Sequence, residues 1–267
     1  MRTKIARIVA LLAVVTVATS SVLAQRNSYR ERYDDDDRGS YRDNRGRAGE
    51  FDYYVLALSW SPTYCAERTR TGDDQQCDTR GGRPYAFVLH GLWPQFNRGW
   101  PQDCRSQDGG WVPGPVANRM LDIMPSKKLI FHEYRKHGTC SGLGVDAYFG
   151  LARQLYEKVQ IPPRFVRLTD DRLFVGPGEL VGDFLKANPD LRPDMIVVQC
   201  GGSGNRLKEV RICFSREGNF RSCGPNENQR RLCSAERMYV PPVRASAVIN
   251  EPDGPSGPPR EIVPLPK

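Results

Sequence analysis

The chain has 267 residues, of which 39% are hydrophobic and 26% are charged. Its formal net charge of +8 at pH 7 suits a polyanionic partner as well as simple solubility. Beyond the first residues no stretch has the apolar length that a bilayer-spanning helix needs, which excludes a protein built from membrane spans.

The first 24 residues (1–24) predict an export signal. Three basic residues come early, an apolar run covers 8–18, and Ala24 ends a stretch with the small residues that signal cleavage requires. The run is too short to span a bilayer comfortably, although a retained membrane anchor is the alternative. We expect a mature chain that starts near Gln25 and is secreted or periplasmic, without membrane attachment. Loss of the three basic residues lowers the formal charge from +8 to +5.

Two flanking segments differ in composition from the rest of the chain. Residues 25–50 carry seven arginines and seven acidic residues with few apolar ones, so this charged segment is predicted to be disordered. Residues 239–267 contain eight prolines, which predicts an extended tail. A single folded domain of ordinary size is therefore expected over 51–238.

Strands and helices are predicted in irregular order along this domain. Phe51 to Trp60 and Tyr85 to Leu89 are apolar and β-favouring, which predicts two buried strands. The second strand is expected to place His90 at its end, before Gly91 and Pro94 break the run. Further elements follow in chain order: helices at 115–124, 127–137, 145–159 and 178–187, then strands at Met195 to Cys200 and Leu207 to Phe214. This mixture favours an α+β domain with a central, mainly antiparallel sheet and flanking helices.

Eight cysteines, an even number in an exported chain, predict four disulfide bonds that staple the fold. Spacing alone leaves their pairing open. A zinc site is the alternative, but the sequence contains no Cys-x-x-Cys pair. The cysteines are Cys65, Cys77, Cys104, Cys140, Cys200, Cys213, Cys223 and Cys233.

All three histidines fall in two short segments, around His90 and over 132–137. On a helix, Glu133, Lys136 and His137 occupy positions i, i+3 and i+4 and share one face. Histidine exchanges protons near neutral pH, and a neighbouring lysine disfavours the imidazolium form. We therefore expect His137 to act as a base, with Glu133 and Lys136 beside it.

A zinc metalloprotease is a competing hypothesis for the second segment. A zinc helix carries its two histidines four residues apart on one face. Here His132 and His137 are five residues apart, so on a helix their side chains diverge by about 140°. Lys136 would also repel a metal ion, and the sequence predicts no metal.

Two imidazoles with a lysine and a carboxylate suit in-line transfer at a phosphate. RNA supplies its own nucleophile, the 2′-hydroxyl, so no metal-activated water is needed. DNA lacks this hydroxyl and is therefore not expected to be cleaved. Trp93 and Trp100 flank the first segment and could stack on bases of single-stranded RNA. Core packing is the equal alternative for Trp93. The residues alone predict a metal-free hydrolase or phosphotransferase.

At these residues the chain resembles the ribonuclease T2 family of fungal, plant and bacterial periplasmic enzymes. The family's two signatures, His-Gly-Leu-Trp-Pro and Glu-Trp-x-Lys-His-Gly-Thr-Cys, correspond to His90–Pro94 and Glu133–Cys140. The resemblance extends from about Tyr53 to Cys233 and covers neither flanking segment. It implies a metal-independent endoribonuclease that cleaves single-stranded RNA to a 2′,3′-cyclic phosphate and then to a 3′-phosphate. We expect no cofactor and a monomeric protein.

The resemblance also implies a role for each site residue. His90 and His137 correspond to the catalytic pair, with His137 as base and His90 as acid in the first step. Glu133 and Lys136 correspond to the groups that stabilise the pentacoordinate state. The substrate-binding positions that correspond to the family's are His132 for phosphate and Trp93, Trp100 and Gln95 for bases.

The family further implies the pairs Cys65–Cys77, Cys104–Cys140, Cys200–Cys233 and Cys213–Cys223. The second pair would hold the two histidine segments together. The chain departs from the family at Tyr134, where tryptophan is usual, and at Gln95, where many relatives carry Asp or Asn. The alternative to an enzyme is a ribonuclease-like module that binds RNA without cleaving it.

Overall fold

The computed structural model describes residues 46–67, 76–77, 84–169, 173–202 and 204–243. The predicted signal, most of the charged segment and the tail beyond Val243 lie outside the described residues. Within the described part, no helix is long and apolar enough to cross a membrane.

A mixed sheet of six strands forms the centre of the described chain. The order of neighbours is β2-β1-β5-β6-β3, and β4 pairs with β5. Every pairing is antiparallel except the short parallel pairing of β5 with β6. The strands are β1 (Tyr53–Trp60), β2 (Phe87–Gln95), β3 (Phe174–Val175), β4 (Ile196–Gly201), β5 (Arg206–Phe214) and β6 (Met238–Tyr239). The predicted α+β fold with a mainly antiparallel sheet is confirmed.

Strand β2 continues through His90 to Gln95, so the prediction that it ends near Leu89 is wrong. Two features allow the continuation. Its pairing with β1 shifts register at a bulge, where Ala57 pairs with Gly91 and the next residue, Leu58, pairs with Leu89. His90 is the extra residue of this bulge. Pro94 is accepted because β2 lies at the edge of the sheet, where a missing N–H is tolerated.

Helices account for a further part of the described chain. They are α1 (Ser61–Glu67), α2 (Gly114–Met120), α3 (Lys127–Lys136), α4 (Val145–Lys158), α5 (Pro163–Val166), α6 (Pro177–Ala187) and α7 (Gln229–Leu232). The Ser126 hydroxyl caps α3 by accepting a hydrogen bond from the Leu129 N–H. At the other end, His137 caps the helix and a 3₁₀ turn over Gly138–Ser141 follows. The second histidine segment is thus a helix end, as its sequence predicts.

The two faces of the sheet bury different groups. Tyr53, Val55 and Ala57 alternate along β1 and cluster with Trp93 and Cys213 on one face. On the opposite face, Trp60 packs edge-on against aromatic rings. These rings are Phe87 of β2 and Phe165 of α5, and Phe87 also contacts Phe184 of α6. The face with Trp93 carries the candidate site, and the other is closed by helices.

All four disulfides that the family resemblance implies are present. They are Cys65–Cys77, Cys104–Cys140, Cys200–Cys233 and Cys213–Cys223. No cysteine is free to act as a zinc ligand. The Cys104–Cys140 bond joins the loop after β2 to the 3₁₀ turn after α3, and so links the two histidine segments covalently.

The domain extends beyond both boundaries predicted for it. On the N-terminal side, the Gly49 N–H donates a hydrogen bond to the Cys140 carbonyl. On the C-terminal side, Tyr239 pairs with Phe174, and the Val243 N–H donates to the Leu168 carbonyl. The last residues of the predicted charged segment and the first residues of the predicted Pro-rich tail therefore belong to the folded domain. Their backbone groups form hydrogen bonds with it.

Candidate active site

His90 lies at the β2 bulge and faces two carboxylates. Its Nδ1 atom is 2.7 Å from Oε1 of Glu209 on β5, which is a hydrogen bond. Its Nε2 atom is 3.6 Å from Oε1 of Glu133 on α3, close enough for an ion pair but too long for a hydrogen bond. Because Nδ1 is committed to Glu209, Nε2 is the nitrogen that can exchange a proton with a substrate.

Gly91 lets helix α3 approach β2 this closely. A Cβ atom on Gly91 would lie 2.1 Å from Oε2 of Glu133 and 2.5 Å from Nε1 of Trp93. Both distances are far inside van der Waals contact, so any side chain here would displace the carboxylate. Glycine beside His90 is therefore needed for close approach, and it does not break the strand as its sequence position suggests.

Glu133 is buried under the site, with 2% of its surface exposed. The Trp93 indole N–H donates a hydrogen bond of 2.7 Å to its Oε2 atom. Burial raises the pKa of the Glu133 carboxyl, against the opposing effects of His90, the indole hydrogen bond and Lys136. The carboxyl group is thus held in a fixed orientation by Trp93.

Trp93 packs between the two histidines. Its ring centroid is 5.2 Å from that of His90 and 5.4 Å from that of His137. Only 9% of the residue is exposed. Of the two interpretations of Trp93, this placement favours a core residue that orients the site over an open platform for a base.

His137 lies at the end of α3, and its surroundings differ from those of His90. Its Nδ1 atom is buried and has no hydrogen-bond partner among the described residues. Burial lowers the pKa of the imidazole well below the ordinary 6.5, and the positive charge of Lys136 lowers it further. The effect of Lys136 predicted from the sequence is therefore present, but burial is the larger cause.

Lys136 and His132 border this centre with half-buried side chains. Burial lowers the pKa of His132, and the charge of Lys136 acts in the same direction. The Lys136 ammonium group makes no ion pair within the described part of the chain. Both groups thus lie near the two catalytic candidates. The Lys136 ammonium group places positive charge at the border of the site.

The candidate base-binding residues lie further along β2 and in the loop after it. Gln95 is buried, two residues beyond Trp93 on the same face of the strand. The Asn226 amide donates to the Gln95 side-chain oxygen at 3.3 Å and to the Gly99 carbonyl at 2.9 Å. Half-buried Trp100 follows this loop and makes no ring contact with either histidine in the described structure. Asn226, which sequence reasoning missed, holds this region together.

No group of three or more His, Cys, Asp or Glu side chains in the described residues could hold a metal ion.

A sequence model of the Ribonuclease T2 family matches residues 51–223. The chain belongs to the ribonuclease T2 family. The match covers both histidine segments and most of the described domain. Membership in this family makes the chain an endoribonuclease that acts on RNA.

Relatives of this T2 ribonuclease occur in bacteria. A ribonuclease of Aeromonas hydrophila is 36% identical over 193 residues, covering 70% of this chain and 82% of the relative. Ribonuclease I of Escherichia coli is 30% identical over 207 residues, covering 63% of this chain and 77% of the relative.

Solved structures share the fold at lower identity. The S-like ribonuclease trichomaglin aligns with a TM-score of 0.59 at 21% identity, covering 73% of this chain and 100% of its own. RNase NT, solved in complex with 5′-AMP, aligns with a TM-score of 0.54 at 22% identity, covering 72% of this chain and 99% of its own. These likenesses confirm the fold.

Sequence reasoning missed two site residues of this T2 ribonuclease, Glu209 and Arg211. They occupy alternate positions of β5 and therefore share a face. The Arg211 Nε–H donates a hydrogen bond of 2.8 Å to Oε2 of Glu209. Burial opposes ionisation of Glu209, but Arg211 and His90 outweigh it and lower its pKa to about 2. Opposite charges at alternate positions of a predicted strand were the available signal.

Proposed function

We propose that this ribonuclease cleaves single-stranded RNA without a metal ion, through a 2′,3′-cyclic phosphate that it then hydrolyses to a 3′-phosphate. The observation that carries the proposal is the difference between the two histidines. His90 faces two carboxylates, Glu209 and Glu133, which favour a charged imidazole. His137 is buried beside a lysine, which favours a neutral one.

In the first step, neutral His137 removes the proton of the 2′-hydroxyl, and the 2′-oxygen attacks the phosphorus atom. The bond between phosphorus and the 5′-oxygen breaks. Protonated His90 donates its Nε2 proton to the departing 5′-oxygen. A neutral base and a charged acid in one site satisfy the requirement of general acid–base catalysis.

In the second step the two histidines exchange roles. His90, now neutral, removes a proton from water, and the water oxygen attacks the phosphorus atom of the cyclic phosphate. The bond to the 2′-oxygen breaks, and His137 returns its proton to that oxygen. The product is a 3′-phosphate, and both histidines recover their starting protonation states.

The remaining charged groups act on the phosphate. Lys136 offsets the negative charge that develops on the non-bridging oxygens in the pentacoordinate state. His132 contacts a phosphate oxygen from the border of the site. The buried Glu133 carboxyl, which is held by Trp93 and whose pKa is raised by burial, supports the same state.

We assign contacts with the bases to Gln95, at the end of β2 beyond Trp93, and to Trp100, which follows the strand. A half-buried tryptophan provides a stacking surface for an unpaired base, which favours single-stranded RNA. The structure of RNase NT was solved with 5′-AMP, so a nucleotide binds to a protein of this fold.

Export of the protein is also part of the proposal. Four disulfides are typical of proteins that fold in an oxidising compartment. We propose that residues 1–24 are a cleaved signal and that the mature protein is a secreted or periplasmic monomer. Mass analysis of the exported protein and light scattering test the cleavage site and the monomer.

The proposed reaction is tested by mass analysis of the products from a defined oligoribonucleotide, in excess EDTA. We expect a transient 2′,3′-cyclic phosphate followed by a 3′-phosphate in wild type, and loss of both products in His90→Ala and His137→Ala. RNA binding without a cyclic product would indicate a binding module, and loss of wild-type activity in EDTA would indicate a metal enzyme. Either result would overturn the proposed reaction.

A further inference from the structure

The pair formed by Glu209 and Arg211 is a costly feature for the inner face of a sheet. Glu209 is 3% exposed, and its two oxygens have different partners. Oε1 accepts from His90, and Oε2 accepts from Arg211. A buried ion pair contributes little net stability, because desolvation of both charges offsets their attraction. The pair therefore calls for an explanation other than stability.

Arg211 is itself held on several sides. Its Nη2 atom donates a hydrogen bond of 2.8 Å to the Gln199 side-chain oxygen on β4. Its guanidinium carbon lies 5.0 Å from the centre of the Trp93 ring. Since a guanidinium group can only donate hydrogen bonds, it fixes one oxygen of Glu209 and leaves the other for His90.

We propose that Glu209, held by Arg211, is a positioning residue that keeps the proton of neutral His90 on Nδ1 and directs Nε2 toward the phosphate. A carboxylate can only accept a hydrogen bond, so the hydrogen of this contact belongs to His90. The proposal rests on the proposed function, because the directed nitrogen matters only if His90 transfers protons.

Both steps of the reaction depend on this arrangement. In the first step His90 is charged, and the Glu209 carboxylate compensates that charge at 2.7 Å. In the second step His90 must accept a proton at Nε2, which requires that the remaining proton already be on Nδ1. A change at Glu209 is therefore expected to act through His90 rather than on substrate binding.

The decisive variant is Glu209→Gln, because Arg211 determines how the new amide is oriented. The amide oxygen faces the Arg211 donor, so the amide NH₂ group faces Nδ1 of His90. A donor opposite Nδ1 forces the neutral ring to carry its proton on Nε2, the wrong nitrogen for the second step. The equivalent change from carboxylate to amide in serine proteases has this effect on the catalytic histidine.

Nitrogen-15 NMR of histidine-labelled protein tests the proton's position without any substrate. The chain has only three histidines, so His90 is assigned by its disappearance in His90→Gln. We expect neutral His90 to carry its proton on Nδ1 in wild type and on Nε2 in Glu209→Gln. The matched control is Glu227→Gln, since Glu227 is also buried and accepts a hydrogen bond from the Tyr53 hydroxyl. It is expected to leave His90 unchanged.

Kinetics provide the second readout. We expect Glu209→Gln to lower the kcat of the first step, cyclisation, by about 10²-fold, within the range of acid–base catalysis, with KM nearly unchanged. On a substrate with sulfur in place of the bridging 5′-oxygen, the leaving group needs no proton, and the loss is expected to shrink to less than about 3-fold. Glu209→Asp keeps the carboxylate and the charge opposite Arg211, so it is expected to fold and to retain the Nδ1 proton with intermediate activity.

Two results would overturn the role of Glu209. One is an unchanged His90 proton position in a folded Glu209→Gln protein. The other is an equal loss on the oxygen and sulfur substrates, in Glu209→Gln or, if that variant does not fold, in Glu209→Asp. Absence of a cyclic phosphate from wild type would instead overturn the proposed function and leave the NMR result for Glu209 intact.

Discussion

The two histidines of the site are equally buried but have opposite surroundings. His90 is 8% exposed and His137 is 7% exposed. Glu209 and Glu133 face the ring of His90, whereas Lys136 and Arg211 place positive charge near His137. In the proposed mechanism these neighbours give one residue type two tasks, which is the general way in which acid and base are distinguished at one pH.

The difference also depends on the elements that carry them. His90 belongs to a sheet, where neighbouring strands bring residues that are distant in sequence beside it. His137 caps a helix, whose negative end favours a charged imidazole. Burial and Lys136 outweigh that effect, because the pKa of His137 remains well below its ordinary value. Proton removal is therefore expected at the helix end, and proton donation at the sheet.

The largest expected effect comes from cutting the bond that holds the two histidine segments together. Replacing Cys104 and Cys140 by alanine releases a loop with a separation of 36 residues, which is expected to lower the unfolding free energy by about 4 kcal/mol. Replacing Cys65 and Cys77 releases a separation of 12 residues, with an expected loss of about 3 kcal/mol. Denaturant unfolding measures both losses.

Only the first of these disulfide variants is expected to lower kcat under conditions where both remain folded. The reason is that Cys140 immediately follows the segment with His137, whereas the other pair does not join the two histidine segments. Equal losses of kcat in the two variants would contradict the idea that the covalent link aligns the histidines.

A somewhat smaller effect is expected from Gly91→Ala, which disturbs the packing of α3 against β2 beside His90. The new methyl group would overlap Glu133 and Trp93, so the unfolding free energy is expected to fall by about 1–3 kcal/mol. Activity is expected to fall by about 10²-fold, because a misplaced acid loses most of its contribution. Gly150→Ala is the control, since a Cβ atom on Gly150 in α4 meets nothing within 4 Å. A folded and fully active Gly91→Ala protein would show that close approach of α3 is not required.

The smallest predicted effect comes from removing a positive charge beside His137. Lys136→Met removes a neighbouring positive charge, so His137 is more easily protonated and its pKa rises. The acid limb of kcat/KM against pH lies below pH 6.5 in wild type and is expected to move up by roughly 0.5–1 unit. Lys127→Met, at the exposed start of α3, is the control and is expected to leave the limb in place. A shift of the acid limb to lower pH in Lys136→Met would contradict the expected rise in the pKa of His137.

Local patterns in the sequence predict part of this structure well. Helix α3 and the face shared by Glu133 and His137 follow from helical spacing, since a helix forms between near neighbours in the chain. The disulfide pairs and the catalytic histidines follow from the family resemblance. Their roles in proton transfer remain proposals.

Contacts between distant segments could not be predicted in the same way. Strand β2 continues past His90 because β1 accepts a bulge and an edge strand tolerates Pro94. Glu209 stands 119 residues from His90 in the chain, and only the pairing of β1 with both strands brings them together. The function of Gly91 likewise appears only when α3 is packed against the sheet. Such features depend on tertiary packing rather than on local pattern.

The most direct test of the division of labour compares His90→Ala and His137→Ala on two substrates. One is an ordinary dinucleotide, and the other carries sulfur in place of the bridging 5′-oxygen, so that its leaving group needs no proton. We expect His90→Ala to recover most of its lost cyclisation rate on the sulfur substrate and His137→Ala to recover none. Recovery by His137→Ala instead, or by neither variant, would contradict the assignment of His90 as acid and His137 as base.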